Sequence, residues 1–195
     1  MRTLVSWGLT LALAALASAQ QNGRLRAGEE PPQPQRGEMH AIADPAPIRS
    51  FKELCGKVDA IVEGVVESDA SRMMPGRSRC VETDFRMAVD RVIKGPIDTP
   101  EIVVSEMGGK FGELHLIMNF PLLQKGERYV LFLYAEKRQG IPPVPGLPRY
   151  EAEIFYGTFK VEAGRIQPFF HNPFPKYTGL TTEALAAEIG IELGR

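Results

Sequence analysis

The chain is short of the residues that most often carry chemistry. Its 195 residues include two cysteines, three histidines and one tryptophan. Two cysteines are too few for a disulfide framework or for a Cys-rich zinc module. The histidines, at 40, 115 and 171, form no H-E-x-x-H and no H-x-H pair, and no carboxylate cluster lies near them at metal-ligand spacing. No G-x-S-x-G elbow, Walker-type loop or G-x-G-x-x-G occurs, and Gly108-Gly109-Lys110 lacks the following helix that a phosphate loop needs. The expectation is therefore no catalytic set, no metal and no cofactor. An excess of charge is missing too: 23 Lys and Arg against 24 Asp and Glu leave −1. That argues against a nucleic-acid binder or a polybasic membrane binder.

Long hydrophobic runs are confined to the beginning. Arg2 precedes an apolar stretch from Leu4 to Leu16, and Ala17-Ser18-Ala19 is a small-x-small cleavage site. This is the pattern of a secretory signal peptide over 1–19, too short to be a membrane span. Position 20 is Gln, so the lipidated cysteine of a lipoprotein is missing. The expected mature protein is secreted or periplasmic, with no transmembrane segment after cleavage. Residues 20–47 are rich in Gln, Pro, Gly and charge, which predicts a disordered linker. His40 and Asp44 inside it do not make a metal site, since structural sites usually want four ligands.

Residues 48–195 have the size of one domain. Ser50 and Glu53 have capping-box spacing and open a short helix through Phe51, Leu54 and Cys55. From Val58 to Glu67 the even positions are apolar or glycine while Asp59, Glu63 and Glu67 face away, the period of a half-buried strand. Gly64 marks a bulge or bend in it. A longer strand runs from Val81 to Ile93 and stops at Lys94-Gly95-Pro96, and Asp69 to Arg79 is the loop between the two. Adjacent strands joined this way pair antiparallel. More strands follow at Ile102–Val104, Leu114–Phe120, Tyr129–Tyr134, Ile154–Tyr156 and Phe159–Val161, the last turning through Glu162–Arg165 into Ile166. Tyr129–Tyr134 is apolar on both faces and is expected to be central. Thr181 caps a closing helix to Leu193, with Leu180 and Leu185 placed as a hydrophobic staple. The fold class is mainly β: a small closed or half-closed antiparallel barrel with a short N-terminal helix and a C-terminal helix.

Three stretches resemble a family of exported bacterial domains: Ala60–Val66, Val89–Gly95 and Gly126–Leu133. That family is similar in turn to the OB-fold domains of tissue inhibitors of metalloproteinases and to netrin-like modules. The resemblance implies an OB-like five-stranded Greek-key barrel. Those inhibitors chelate a protease zinc through an N-terminal cysteine, whereas Gln20 is the expected mature terminus here, so that activity does not carry over.

Three groups of residues remain. Export favours a disulfide between Cys55 and Cys80. The strand reading opposes it, because Cys80 then lies opposite Glu67, about 40 Å of strand from Cys55, whereas a bridge needs Cα atoms about 5.5 Å apart. His115 and Glu113, two apart on one strand, form either an acid–base or metal pair or an ordinary polar face. The stretch Pro168–Tyr177 holds Phe169, Phe170, Phe174 and Tyr177 among three prolines. These aromatics either cover one mouth of the barrel or present a surface to a protein, peptide or glycan. The expected function is an exported, non-enzymatic binding or interaction module; an inhibitor or adaptor of an extracellular enzyme is the alternative, and a hydrolase using His115 and Glu113 comes third.

Overall fold

Two fourteen-residue strands, Ala60–Met73 and Val81–Lys94, form the hairpin on which the rest is assembled. The structure, a computed structural model, describes residues 37–195 apart from 45, 78, 139, 142, 143 and 172, so the expected signal segment 1–19 lies outside the described residues. In chain order the elements are β1 (Glu38–Ala41), α1 (Phe51–Lys57), β2 (Ala60–Met73), β3 (Val81–Lys94), β4 (Glu101–Met107), β5 (Gly109–Phe111), β6 (Leu114–Met118), β7 (Arg128–Ala135), β8 (Arg149–Ala152), β9 (Thr158–Glu162) and β10 (Arg165–Pro168). A 3-10 turn at Pro175–Tyr177 and α2 (Thr182–Glu192) complete the chain.

The β2–β3 register shifts at Ile61/Val62, Glu63/Gly64 and Val66/Ser68. Each shift inserts extra length on one strand and bends the pair. At the middle shift a side chain on Gly64 would put its Cβ 2.1 Å from the Ala88 carbonyl oxygen, so only glycine lets the strands approach there. The curled hairpin continues as β7-β2-β3-β4-β8, and β8 pairs back onto β7 to close a five-stranded barrel. Taken in sequence order, the barrel strands run 1-2-3-5-4 and return to 1, the Greek-key arrangement of OB-like barrels. The β4–β8 seam is parallel, and the other four are antiparallel. The β9–β10 hairpin extends the wall from β7, and a separate small sheet has the order β1-β6-β5.

Two cores use opposite faces of the same wall. Val62, Val66, Phe85, Met87, Ile102, Val104, Leu131 and Leu133 fill the barrel. Outside it, Ile61, Val130 and Phe132 are covered by Phe51, Leu54 and Cys55 of α1, by Tyr177, and by Leu185 and Ile189 of α2. Strand β7 feeds both cores, which is why its sequence is apolar from Tyr129 to Ala135. Both helices start on side-chain caps: Ser50 Oγ accepts from the Glu53 N–H at 3.1 Å, and Thr181 Oγ1 accepts from the Ala184 N–H at 3.2 Å.

Four details differ from expectation. The first hairpin is longer, with its loop reduced to Met74–Cys80, because polar residues such as Asp69 and Arg72 pair outward on the strand instead of leaving it. Ile154–Tyr156 is a turn, closed by the Gly157 N–H donating to the Glu153 carbonyl at 2.9 Å, and the closing strand is Arg149–Ala152. Within the expected linker, Glu38–Ala41 is a strand, because the edge of β6 supplies its hydrogen-bond partners. Glu63 is buried and not solvated, because Arg91 and Arg128 fold over it at 2.8 and 3.4 Å.

Candidate functional site

The aromatic segment after β10 divides between packing and surface. Tyr177 is buried, with its ring 4.0 Å from that of Phe51, and Phe174 sits edge-on to Phe51 at 5.5 Å. Phe169 packs edge-on against Tyr129 at 5.4 Å, at one end of the barrel interior. Phe170 is separate from these. It lies edge-on to Phe155 at 5.7 Å and 4.2 Å from the His171 ring, with Phe120 on another side of Phe155 at 5.5 Å. Of the four aromatics singled out from the sequence, Phe174 and Tyr177 hold the 3-10 turn against α1, whereas Phe170 belongs to a cluster at the surface.

Phe155 and His171 of that cluster, with Tyr156, line an open cleft of about 380 Å³ together with Ile42, Ala43, Asp44 and Asn119, while Phe170 stands behind Phe155 and His171. The volume lies within the range of small-ligand sites. The lining combines flat apolar rings with an imidazole, a carboxylate and a carboxamide. Such a surface can stack on a sugar face or a planar side chain and hydrogen-bond its edge. Ile42 stands at the rim, 75% exposed. Sequence reasoning singled out Phe170 through aromatic density but not His171, Phe155 or Tyr156, which line the cleft. It also missed 42–44, because they fell inside the expected linker.

A second polar assembly covers the outer wall over β2, β3, β4 and β8. Arg72 binds Asp84 through Nε at 3.0 Å and also pairs with Glu82. Arg149 pairs with Asp84 and donates to Ser105 Oγ at 2.7 Å, and Ser105 donates to Asp84 at 2.8 Å. Burial works against the Asp84 charge, but hydrogen bonds from Arg149, Arg72 and Ser105 outweigh it and hold its carboxyl below the ordinary range. Glu82, Glu136 and Glu151 converge to within 4.8 Å of one another, in the manner of a metal cage. A cation already stands among them: Arg138 reaches Glu82 at 2.5 Å and Glu151 at 2.7 Å and also pairs with Glu136. Burial, then the neighbouring Glu136 and Glu82 carboxylates, push Glu151 up to about 7 against the pull of Arg138. The arginine partners of Glu82 and Asp84 come from distant parts of the chain, so periodicity along the strand does not reveal the assembly.

Inside the barrel, Glu106 is 3% exposed. One carboxyl oxygen accepts from the Leu123 N–H at 3.1 Å, and the other, Oε1, meets no donor among the described residues. Burial pushes this carboxyl up to about 8.

The remaining candidates separate. Cys55 and Cys80 are both free thiols, so the bridge that export favoured is not formed. Cys55 is in α1, before the start of β2, while the Cys80 carbonyl accepts from the Met74 N–H at 2.8 Å at the far end of the same hairpin. The length of β2 keeps them apart. Burial pushes the Cys55 thiol up to about 12, so it is not a nucleophile near neutral pH. Glu113 lies in the β5–β6 turn instead of on a strand with His115, whose Nδ1 faces Glu38 of β1 at 3.7 Å.

No protein-family model and no curated protein matches this sequence. No helix among the described residues is long and apolar enough to cross a membrane.

Proposed function

We propose that the chain is an exported, non-enzymatic binding module that takes a protein segment, peptide or glycan into the cleft between Ile42–Asp44 and the Phe155–His171 wall. The observation that carries this reading is the division of the aromatic segment. Phe174 and Tyr177 are spent on packing α1, while His171 stacks on Phe155 at 6.1 Å beside an open cleft and Phe170 meets Phe155 edge-on. Aromatic rings flanked by hydrogen-bonding groups are what binding surfaces enrich. Export from the N-terminal pattern, and the likeness to inhibitor and netrin-like domains, support a role outside the cytoplasm.

The test uses residues 20–195 on peptide and glycan arrays, beside a Phe170→Ala/His171→Ala double variant. Both side chains lie outside the two cores, so the variant should keep the wild-type melting curve. Selective binding by the wild type, lost in the variant, is the expected result. Binding that the variant retains, or hydrolysis of an arrayed ligand, would overturn the reading.

A further inference from the structure

From Gly37 to Ala43 the chain turns alternate residues to opposite sides. One side faces β6, with which β1 pairs from Glu38↔His115 to Ala41↔Met118. There the Gly37 and Ala41 carbonyls accept from the His115 and Asn119 N–H groups at 2.9 and 3.2 Å. Just beyond the strand, the Asn119 carboxamide holds both backbone groups of Ala43: Oδ1 accepts from its N–H at 3.0 Å and Nδ2 donates to its carbonyl at 3.2 Å. Gly37, Ala41 and Ala43 thus all point toward β6, so the main-chain groups of Glu38, His40 and Ile42 point away from it. No strand meets them among the described residues, because β1 stands at the end of its sheet. They form an open edge, ready to pair with another extended chain.

That edge runs into the cleft. Ile42 belongs to both, and Asp44 follows it in the lining. The charge of the cleft is one-sided: its lining includes the Asp44 carboxylate and no lysine or arginine. Elsewhere the chain pairs its carboxylates, and Glu63, Glu82 and Asp84 each have two arginines. Asp44 has no hydrogen bond or ion pair among the described residues. Asn119 also lines the cleft, but its carboxamide is already engaged at both ends by Ala43, which leaves few groups to meet the several hydroxyls of a sugar. Phe155 and Tyr156 supply aromatic surface. Such a surface beside a lone carboxylate suits a cation on an apolar stem, the stem lying along the rings and the charge meeting the carboxylate.

Resting on the reading of this cleft as a binding site, we propose that its ligand is an extended polypeptide segment. The segment pairs with the open edge at His40 and Ile42 and lays one lysine side chain in the cleft, its ammonium at Asp44. In strand addition of this kind the main-chain bonds give affinity and the side-chain pocket gives specificity. A free amine satisfies Asp44 and not the edge, and a neutral glycan satisfies neither.

The test uses residues 20–195 and end-blocked, fluorescent heptapeptides Ser-Thr-Val-Xaa-Val-Thr-Ser, with lysine, norleucine or glutamate at Xaa, titrated by anisotropy. The lysine peptide should bind about tenfold tighter than the norleucine peptide, as one charge-assisted hydrogen bond provides, and the glutamate peptide should bind weakest. Asp44→Asn should remove the preference, and Asp44→Lys should turn it toward glutamate. Both variants should keep the wild-type melting curve, since Asp44 has no partner in the fold to lose. With the lysine peptide bound, the His40 and Ile42 amides should gain protection from hydrogen exchange; butylamine, which has the ammonium without the main chain, should give none. Equal affinity for the three peptides, a preference that survives Asp44→Asn, or no gain in amide protection would overturn the inference. So would no binding of the lysine peptide up to about 1 mM, the weak end of specific recognition. The reading of the cleft fails separately: peptides that bind without preference, yet are lost in Phe170→Ala/His171→Ala, overturn only the lysine assignment, whereas peptides that bind that double variant as well as wild type overturn both.

Discussion

The barrel wall is covered in two different ways. Around Ile61, Val130, Phe132 and Phe159 its outer face is apolar, and two short helices with a 3-10 turn lie on it. Over β3, β4 and β8 no helix is present among the described residues, and the outer face carries Glu82, Asp84, Ser105 and Glu151 under Arg72, Arg138 and Arg149. Both coverings hide outward side chains of a closed barrel. The first gains from removing apolar surface from water. The second substitutes charge-assisted hydrogen bonds for water's own, and most of the gain is lost to desolvation. The difference teaches where the stability of the fold should reside, and where a change would be tolerated.

The largest expected effect lies on the helix-covered side. Phe132 is fully buried between Phe51 and Phe159, with ring centroids 5.7 and 5.9 Å away. Phe132→Ala should cost about 3–5 kcal/mol in urea denaturation, the usual range for emptying such a site. Next comes the charged side. Glu82 is 2% exposed and accepts from both Arg72 and Arg138, which are themselves partly exposed at 20% and 34%. Glu82→Gln keeps the shape and removes the shared anion, so it should cost about 2 kcal/mol, less than a fully buried pair would. A Glu82→Gln cost equal to that of Phe132→Ala would mean that the two coverings are energetically alike, and the contrast would fail.

The same contrast explains what could be read from the sequence. Apolar alternation was legible, so β2, β3, β7, the β9–β10 hairpin and both capped helices were predictable from Ser50, Thr181 and period two. Strand β8 was not, because Arg-Tyr-Glu-Ala has one large apolar residue, Tyr150, and its outward positions are satisfied by arginines and carboxylates. The charged assembly was hidden for the same reason: Arg72, Arg138 and Arg149 come together only when the barrel closes. Strand β1 offered only Met39 and Ala41 as alternate apolar positions, too short a signal in a Pro- and Gln-rich stretch, and main-chain bonds to β6 hold it. The aromatic segment was visible as a cluster, yet its division was not, because contact with Phe51 of α1 decides that Phe174 and Tyr177 face the core.

Glu106 sharpens the comparison further, being a carboxylate on the inner side of the wall that no arginine among the described residues pairs. Glu82 on the outside has two guanidinium partners; Glu106 has one backbone N–H, from Leu123, and an oxygen with no donor among the described residues. Burial raises its carboxyl from 4.5 to about 8, so between those values the folded chain keeps a proton that the unfolded chain has released. With more protons bound in the folded state, stability from this group falls as pH rises across that window and is level above it. Glu106→Gln removes the titration while an amide oxygen can still accept from Leu123. The variant should match wild type near pH 5 and exceed it at pH 8 by about 1–3 kcal/mol, measured by denaturation at the two pH values. A variant no more stable than wild type at pH 8 would mean that the ionised Glu106 is compensated inside the barrel, and the inner and outer carboxylates would then obey one rule.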